Sequence, residues 1–343
     1  MVLISGITIL LTRNTTNSNF SLFWVIWMIW MFFIIALLRI NFPSRSTIWS
    51  SLFSPMIFLF CYSARKKIDK TSINFIFIIG FVVLFGLAFY INLKYMNYRE
   101  IEIGEEMVVT NLVFWCLCAT PFFFIVSRRW LQMVLLLLAI IIVLLTYKRS
   151  ANICMGLIVF FYFIHLRKTT KRNLSSSFMV LLGILVGFFV ISNYFSNAFS
   201  GVRYRMSTIQ STQGTGRIPI YHAVINVLKT NDFIDWFLGR GAGSIRITRH
   251  TNAHNDALQM LFEFGIVGLV LYIVLLWNII KRTRILRRIK SSYYFGYLVS
   301  LVIFVVLGFV SNLVVFYSYF SFICAYWGLA EYEITQNNLL NHS

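Results

Sequence analysis

Runs of apolar residues, each about as long as a bilayer is thick, recur along most of this chain, and short polar or basic stretches separate them. A spanning helix needs roughly 20 such residues. The pattern predicts spans near residues 20–38, 47–63, 73–93, 107–126, 130–146, 149–166, 176–195, 256–280, 293–311 and 313–331. Residues 2–11 are apolar but too short to span alone. One long interval breaks the rhythm. Residues 197–253 are polar and rich in Gly, Ser and Thr. The chain therefore reads as three parts: an N-terminal transmembrane bundle over 1–196, a large external loop over 197–253, and C-terminal transmembrane helices over 254–343. The fold class expected is all-α, a polytopic membrane bundle of about 10–11 helices.

Composition agrees. The 343 residues are 59% hydrophobic and only 12% charged, with a mean hydropathy of +0.78. Soluble domains carry roughly a quarter charged residues, and no single soluble core of this size hides so much apolar surface. The formal charge of +19 has a membrane explanation, because Lys and Arg are retained in cytoplasmic loops. Nucleic acid is not an expected partner, since no basic module with stacking aromatics lies outside the spans. Cys61, Cys116, Cys118, Cys154 and Cys324 all fall in apolar spans and read as small buried hydrophobes. No cleavable leader is expected at Met1–Leu11, which lacks basic residues and a small-residue cleavage site.

Basic clusters set an orientation. Arg65, Lys66, Lys67 and Lys70 follow the second span, and Arg128 and Arg129 the fourth. Arg167, Lys168, Lys171 and Arg172 follow the sixth, and the run from Lys281 to Lys290 follows the eighth. All four fall on one side, expected to be cytoplasmic together with both termini. Glu100, Glu102, Glu105 and Glu106 then fall outside, while Arg39 and Arg45 fit the scheme less well.

The 197–253 loop carries Arg203, Arg205, Arg217, Lys229, Arg240, Arg246 and Arg249 against Asp232 and Asp235. Six arginines to one lysine is a skew, and arginine is the side chain suited to a bidentate grip on phosphate. Residues 217–229 read as a helix with Pro219 in its first turn, lying on the membrane surface or packed on the bundle. Gly239, Gly241 and Gly243 mark a turn that lacks the strand a dinucleotide fingerprint requires.

His254-Asn255-Asp256, followed by Glu263, Gly265 and Gly268, opens the eighth span at the end of this loop. Imidazole takes up a proton near neutral pH, so His254 is a candidate general base. The alternative is that His254 and Asn255 only cap the helix. Arg149, at the external end of the sixth span beside Lys148, either snorkels to water or serves chemistry. Glu263 lies nine residues beyond His254, on the opposite face of a continuous helix, and reads as a partner for another helix. His222 and His250 are alternatives to His254, and His165 reads as interfacial.

These pieces, in this order, resemble the O-antigen polymerase and O-antigen ligase family, over about residues 145–280. They are the span-end arginine in KRSA (where a Ser–Arg order is commoner), Gly216-Arg217, the LGRGAGS turn, and HNDALQMLFEFGIVGL. The resemblance implies a GT-C-like, all-helical, metal-independent glycosyltransferase without cofactor. Its donor would be an oligosaccharide on a polyprenyl diphosphate such as undecaprenyl diphosphate. It also implies a bacterial cytoplasmic-membrane protein with its active site facing outside. By the same resemblance His254, Arg217 and Arg149 carry catalysis, with Arg205, Arg203, Arg240 and Asn255 binding substrate. A polymerase of surface polysaccharide is favoured over a ligase, with membrane lipid and a chain-length regulator as further partners. A lipid-linked oligosaccharide flippase is the alternative from another class; it predicts basic residues spread through several spans. A purely structural membrane subunit leaves the arginines without a role.

Overall fold

The computed structural model describes residues 18–37, 45–65, 69–99, 112–145, 148–170, 217–245 and 252–340. The span expected at 176–195 and the residues Arg203, Arg205, Arg246, Arg249 and His250 lie outside these.

Among the described residues the secondary structure is entirely helical. The chain forms α1 (Asn19–Leu37), α2 (Arg45–Ala64), α3 (Lys70–Arg99) and α4 (Leu112–Ala119), which tightens into a 3₁₀ segment at Thr120–Ile125. There follow α5 (Arg129–Leu145), α6 (Arg149–Thr170), α7 (Arg217–Leu228) and α8 (Phe233–Leu238). The chain closes with α9 (Asp256–Arg288), α10 (Tyr294–Val310) and α11 (Tyr317–Leu340). Every span expected within the described residues is a helix. Ser150–Arg167 and Asp256–Arg288 are long and apolar enough to cross a bilayer on their own, and shorter apolar helices accompany them. Large apolar side chains such as Phe32, Phe75, Val83 and Trp277 point outward, as lipid-facing residues do. The chain is an all-α membrane bundle.

Packing divides the chain into two compact units, Ile76–Gly216 and the remainder. In the Ile76–Gly216 unit, Cys116 and Ile142 pack with Phe85, and Phe77 stacks on Phe122. Pro121 sits where α4 tightens, and Thr120 Oγ1 donates to the Leu117 carbonyl at 2.7 Å. The other unit holds α1, α2 and α7–α11 around an aromatic core. Trp24 and Phe20 of α1, Phe58 of α2 and Trp327 of α11 meet there, and Trp327 Nε1 donates to Ser300 Oγ at 2.7 Å. Gly328 lets α11 lie against the α2 backbone: a Cβ there would meet Tyr62 N at 3.1 Å and Cys61 Cβ at 3.2 Å. Four of the five cysteines are buried and Cys61 is half-buried, all as free thiols.

One end of this unit is closed by charge. Arg282 and Glu331 are both buried, with Nε–Oε2 at 2.7 Å and Nη2–Oε1 at 3.0 Å. Arg282 also donates to Asn278 Oδ1 at 2.9 Å and lies over the Phe20 ring, and Ser18 donates its hydroxyl to Glu331. At the other end, the buried Asp256 carboxylate accepts the backbone N–H of Leu313 at 3.0 Å and of Val314 at 3.1 Å. The starts of α9 and α11 are thereby held together.

Candidate functional site

The candidate site is built on the start of α9. Asn255 caps that helix, its Oδ1 accepting the Leu258 N–H at 3.0 Å. Its Nδ2 lies 3.4 Å from the Phe309 carbonyl. Both ends of the amide therefore have protein partners. Asn255 therefore caps the helix, as one of the two readings of this motif expected.

His254 precedes the helix with φ +53°, in the left-handed region. A side chain with a Cβ adopts that conformation at a cost on the order of 1–3 kcal/mol, and keeps it only where surrounding contacts impose it. Tyr221 of α7 is one such contact, donating its hydroxyl to the His254 carbonyl at 3.2 Å. Gln259 is another, its Oε1 accepting the Ala253 N–H at 3.1 Å. Because His254 is not on the helix, the wheel relation drawn from it to Glu263 does not apply. Glu263 is buried, and its Oε1 accepts from Gln259 Nε2 at 2.8 Å, one turn away on its own helix.

The helix expected at 217–229 is α7, and it packs on the bundle. Val224 and Leu228 are buried with Ile245, Ala253 and Phe262. Arg217 is the first residue of α7, one turn before Tyr221. The hydroxyl of Tyr221 reaches the His254 carbonyl, so Arg217 and His254 belong to one corner of the fold.

The glycine turn has a specific seat. Gly239 (φ +81°) and Gly265 (φ +66°, ψ −164°) lie backbone against backbone. A Cβ on Gly239 would press into the main chain of Glu263, Phe264 and Gly265; one on Gly265 would come within 2.6 Å of the Gly239 nitrogen. Gly265 interrupts α9, which frees carbonyls on its N-terminal side. The Arg240 N–H donates to the Phe262 carbonyl at 3.0 Å and the Gly241 N–H to the Glu263 carbonyl at 2.9 Å. Only a residue without a Cβ fits at either crossing position. The loop is thus fixed to α9 at two places, through Tyr221 and through the glycine turn.

The side chain of Arg240 is engaged with its own neighbourhood. Its Nε donates to Asn231 Oδ1 at 2.8 Å and lies 3.4 Å from Asp235 Oδ2, and its guanidinium sits over Phe262. Arg149 begins α6 in the Ile76–Gly216 unit; Lys148 beside it lies over the Phe114 ring at 5.0 Å. His222 is exposed on α7. Among the described residues no three His, Cys, Asp or Glu side chains gather as metal ligands.

Tyr221 and Gln259 were not singled out from sequence. Their signal was spacing: Tyr221 comes one turn after Arg217, and Gln259 one turn before Glu263.

A family model described as O-antigen ligase matches residues 134–273, from within α5 to within α9. No curated protein matches the chain. The matched stretch includes Arg149, Arg217, the glycine turn and the His254–Gly268 motif. Over residues 134–273 the chain is thus similar to the O-antigen ligase family, in support of the O-antigen polymerase and ligase resemblance.

Proposed function

We propose that the protein polymerises oligosaccharide repeat units carried on a polyprenyl diphosphate such as undecaprenyl diphosphate, at the outer face of the bacterial cytoplasmic membrane. The observation that carries this reading is the corner where α7, opening on Arg217, meets His254 through the Tyr221 hydroxyl. His254 takes the proton of an acceptor sugar hydroxyl as its oxygen bonds to the anomeric carbon of the donor. The anomeric C–O bond to the diphosphate breaks, and polyprenyl diphosphate leaves. Negative charge grows on that leaving group in the transition state. Arg217 stabilises it without a metal ion, because a fixed guanidinium in a water-poor site acts strongly on developing charge; Arg149 is assigned to the same role by the family resemblance alone. Arg205 and Arg203 are assigned to substrate binding by the same resemblance. Arg240 contributes through its backbone seat at Phe262 more than through its paired guanidinium.

Purified protein incubated with a lipid-linked repeat unit in the presence of EDTA should give a ladder of products. H254A should slow it about 10²–10⁴-fold, the usual worth of a general base. R217A should slow it about 10²–10³-fold. Normal ladders from either variant would overturn the reading.

The match to an O-antigen ligase family supports a second reading, a ligase passing the glycan to a different acceptor. Product that appears only when such an acceptor is added would select it.

A further inference from the structure

We propose that Gln259 and Glu263 are positioning residues that hold His254 in its left-handed turn, working through the backbone of Ala253. The proposal rests on His254 being the base of the reaction above.

The backbone at His254 is pinned from both sides. The Ala253 N–H, just before it, donates to Gln259 Oε1 at 3.1 Å, and the His254 carbonyl accepts the Tyr221 hydroxyl at 3.2 Å. An amide side chain has one accepting and one donating end, and only the accepting end suits an N–H. Glu263 determines which end faces Ala253. Its carboxylate accepts from Gln259 Nε2 at 2.8 Å, which turns the amide oxygen towards the backbone. Gln259, Glu263 and Ala253 are all buried, and Ala253 packs with Phe262. Burying a carboxylate among apolar neighbours is costly unless its bonds are used. A leucine would fill the space more cheaply but could not orient the Gln259 amide. The main chain of Glu263 serves the other half of the site as well, since its carbonyl accepts the Gly241 N–H at 2.9 Å. One residue therefore ties the histidine turn and the glycine turn of the arginine-rich loop to the same point of α9.

The test uses the full chain in lipid nanodiscs, with initial rates measured against a lipid-linked repeat unit. Q259M, similar in size but without the acceptor, should lower kcat about 10–100-fold with KM changed less than about twofold. E263L should do the same. E263Q still offers an accepting oxygen to Gln259 Nε2 and should keep more than about half of kcat. In an H254A background Q259M should cost nothing further. Y221F removes the opposite anchor without touching the buried pair and should lower kcat about threefold to tenfold at constant KM; it decides the matter if Q259M does not fold. Wild-type kcat in Q259M, or in Y221F where Q259M is lost, alongside a slow H254A overturns this proposal alone. A further loss from Q259M on top of H254A overturns it too, by showing a general structural role. Wild-type rates in H254A overturn the catalytic reading and this proposal with it.

Discussion

Asp256 and Glu331 are two buried carboxylates in one compact unit, and they are satisfied in opposite ways. Asp256, at the start of α9, accepts two backbone N–H groups from the α10–α11 connection. Glu331 accepts a bidentate guanidinium from Arg282 and a hydroxyl from Ser18. Asp256 precedes the break at Gly265, and Arg282 lies 17 residues beyond it, roughly 26 Å at helical rise, so the two carboxylates sit at different ends of α9. Backbone donors shape a loop whatever its side chains are, and that suits the end where a histidine turn must be held. A charge pair in an apolar medium selects one helix arrangement among many apolar ones, because each ion is costly without the other. The α9 helix thus has one end built for position and one for pairing.

Four variants separate these roles, the first having the largest effect. R282M leaves Glu331 buried without its cation and should destabilise the protein by about 3–5 kcal/mol, read as a lower midpoint of unfolding in detergent. The double variant R282M/E331L should recover most of that loss, because an apolar pair replaces an ionic one at little cost. At the other end, D256N replaces one of the two oxygens facing the Leu313 and Val314 N–H groups with an amide NH2 and should cost about 1–3 kcal/mol. Its loss of catalytic rate should exceed that of R282M/E331L, since the loop beside His254 shifts. S18A should cost only about 1 kcal/mol and leave the rate unchanged. If D256N and R282M/E331L lost rate equally, the contrast between the ends would collapse.

The helices were legible because hydropathy of bilayer length is a strong signal, and α1, α2, α5 and α6 fall close to the expected spans. The last helix shows where the signal fails. Leu313 to Phe316 are apolar and read as part of a span, yet α11 begins at Tyr317. The N–H groups of Leu313 and Val314 are taken by Asp256, a partner 57 residues or more away that no local pattern reveals. Gly265 and Gly268 look alike in sequence. Only Gly265 breaks the helix, because Gly239 lies against it. The six residues of α8 are too few for a helical period, and Phe233 and Ile234 remain largely exposed, at 83% and 60%. For the candidate site, the histidine motif and Arg217 were visible as residue types at characteristic spacings. The Ala253–Gln259 bond was not, since it depends on His254 leaving the helix.

The Arg282–Glu331 pair also bears on biogenesis. Arg282 emerges during synthesis 49 residues before its acid, and Ser18, the other contact of that acid, emerges 313 residues before it. Until the final helix arrives, a guanidinium waits at the edge of the lipid without its counter-ion. A chain cut short before position 331 would keep Arg282 without the carboxylate that neutralises it.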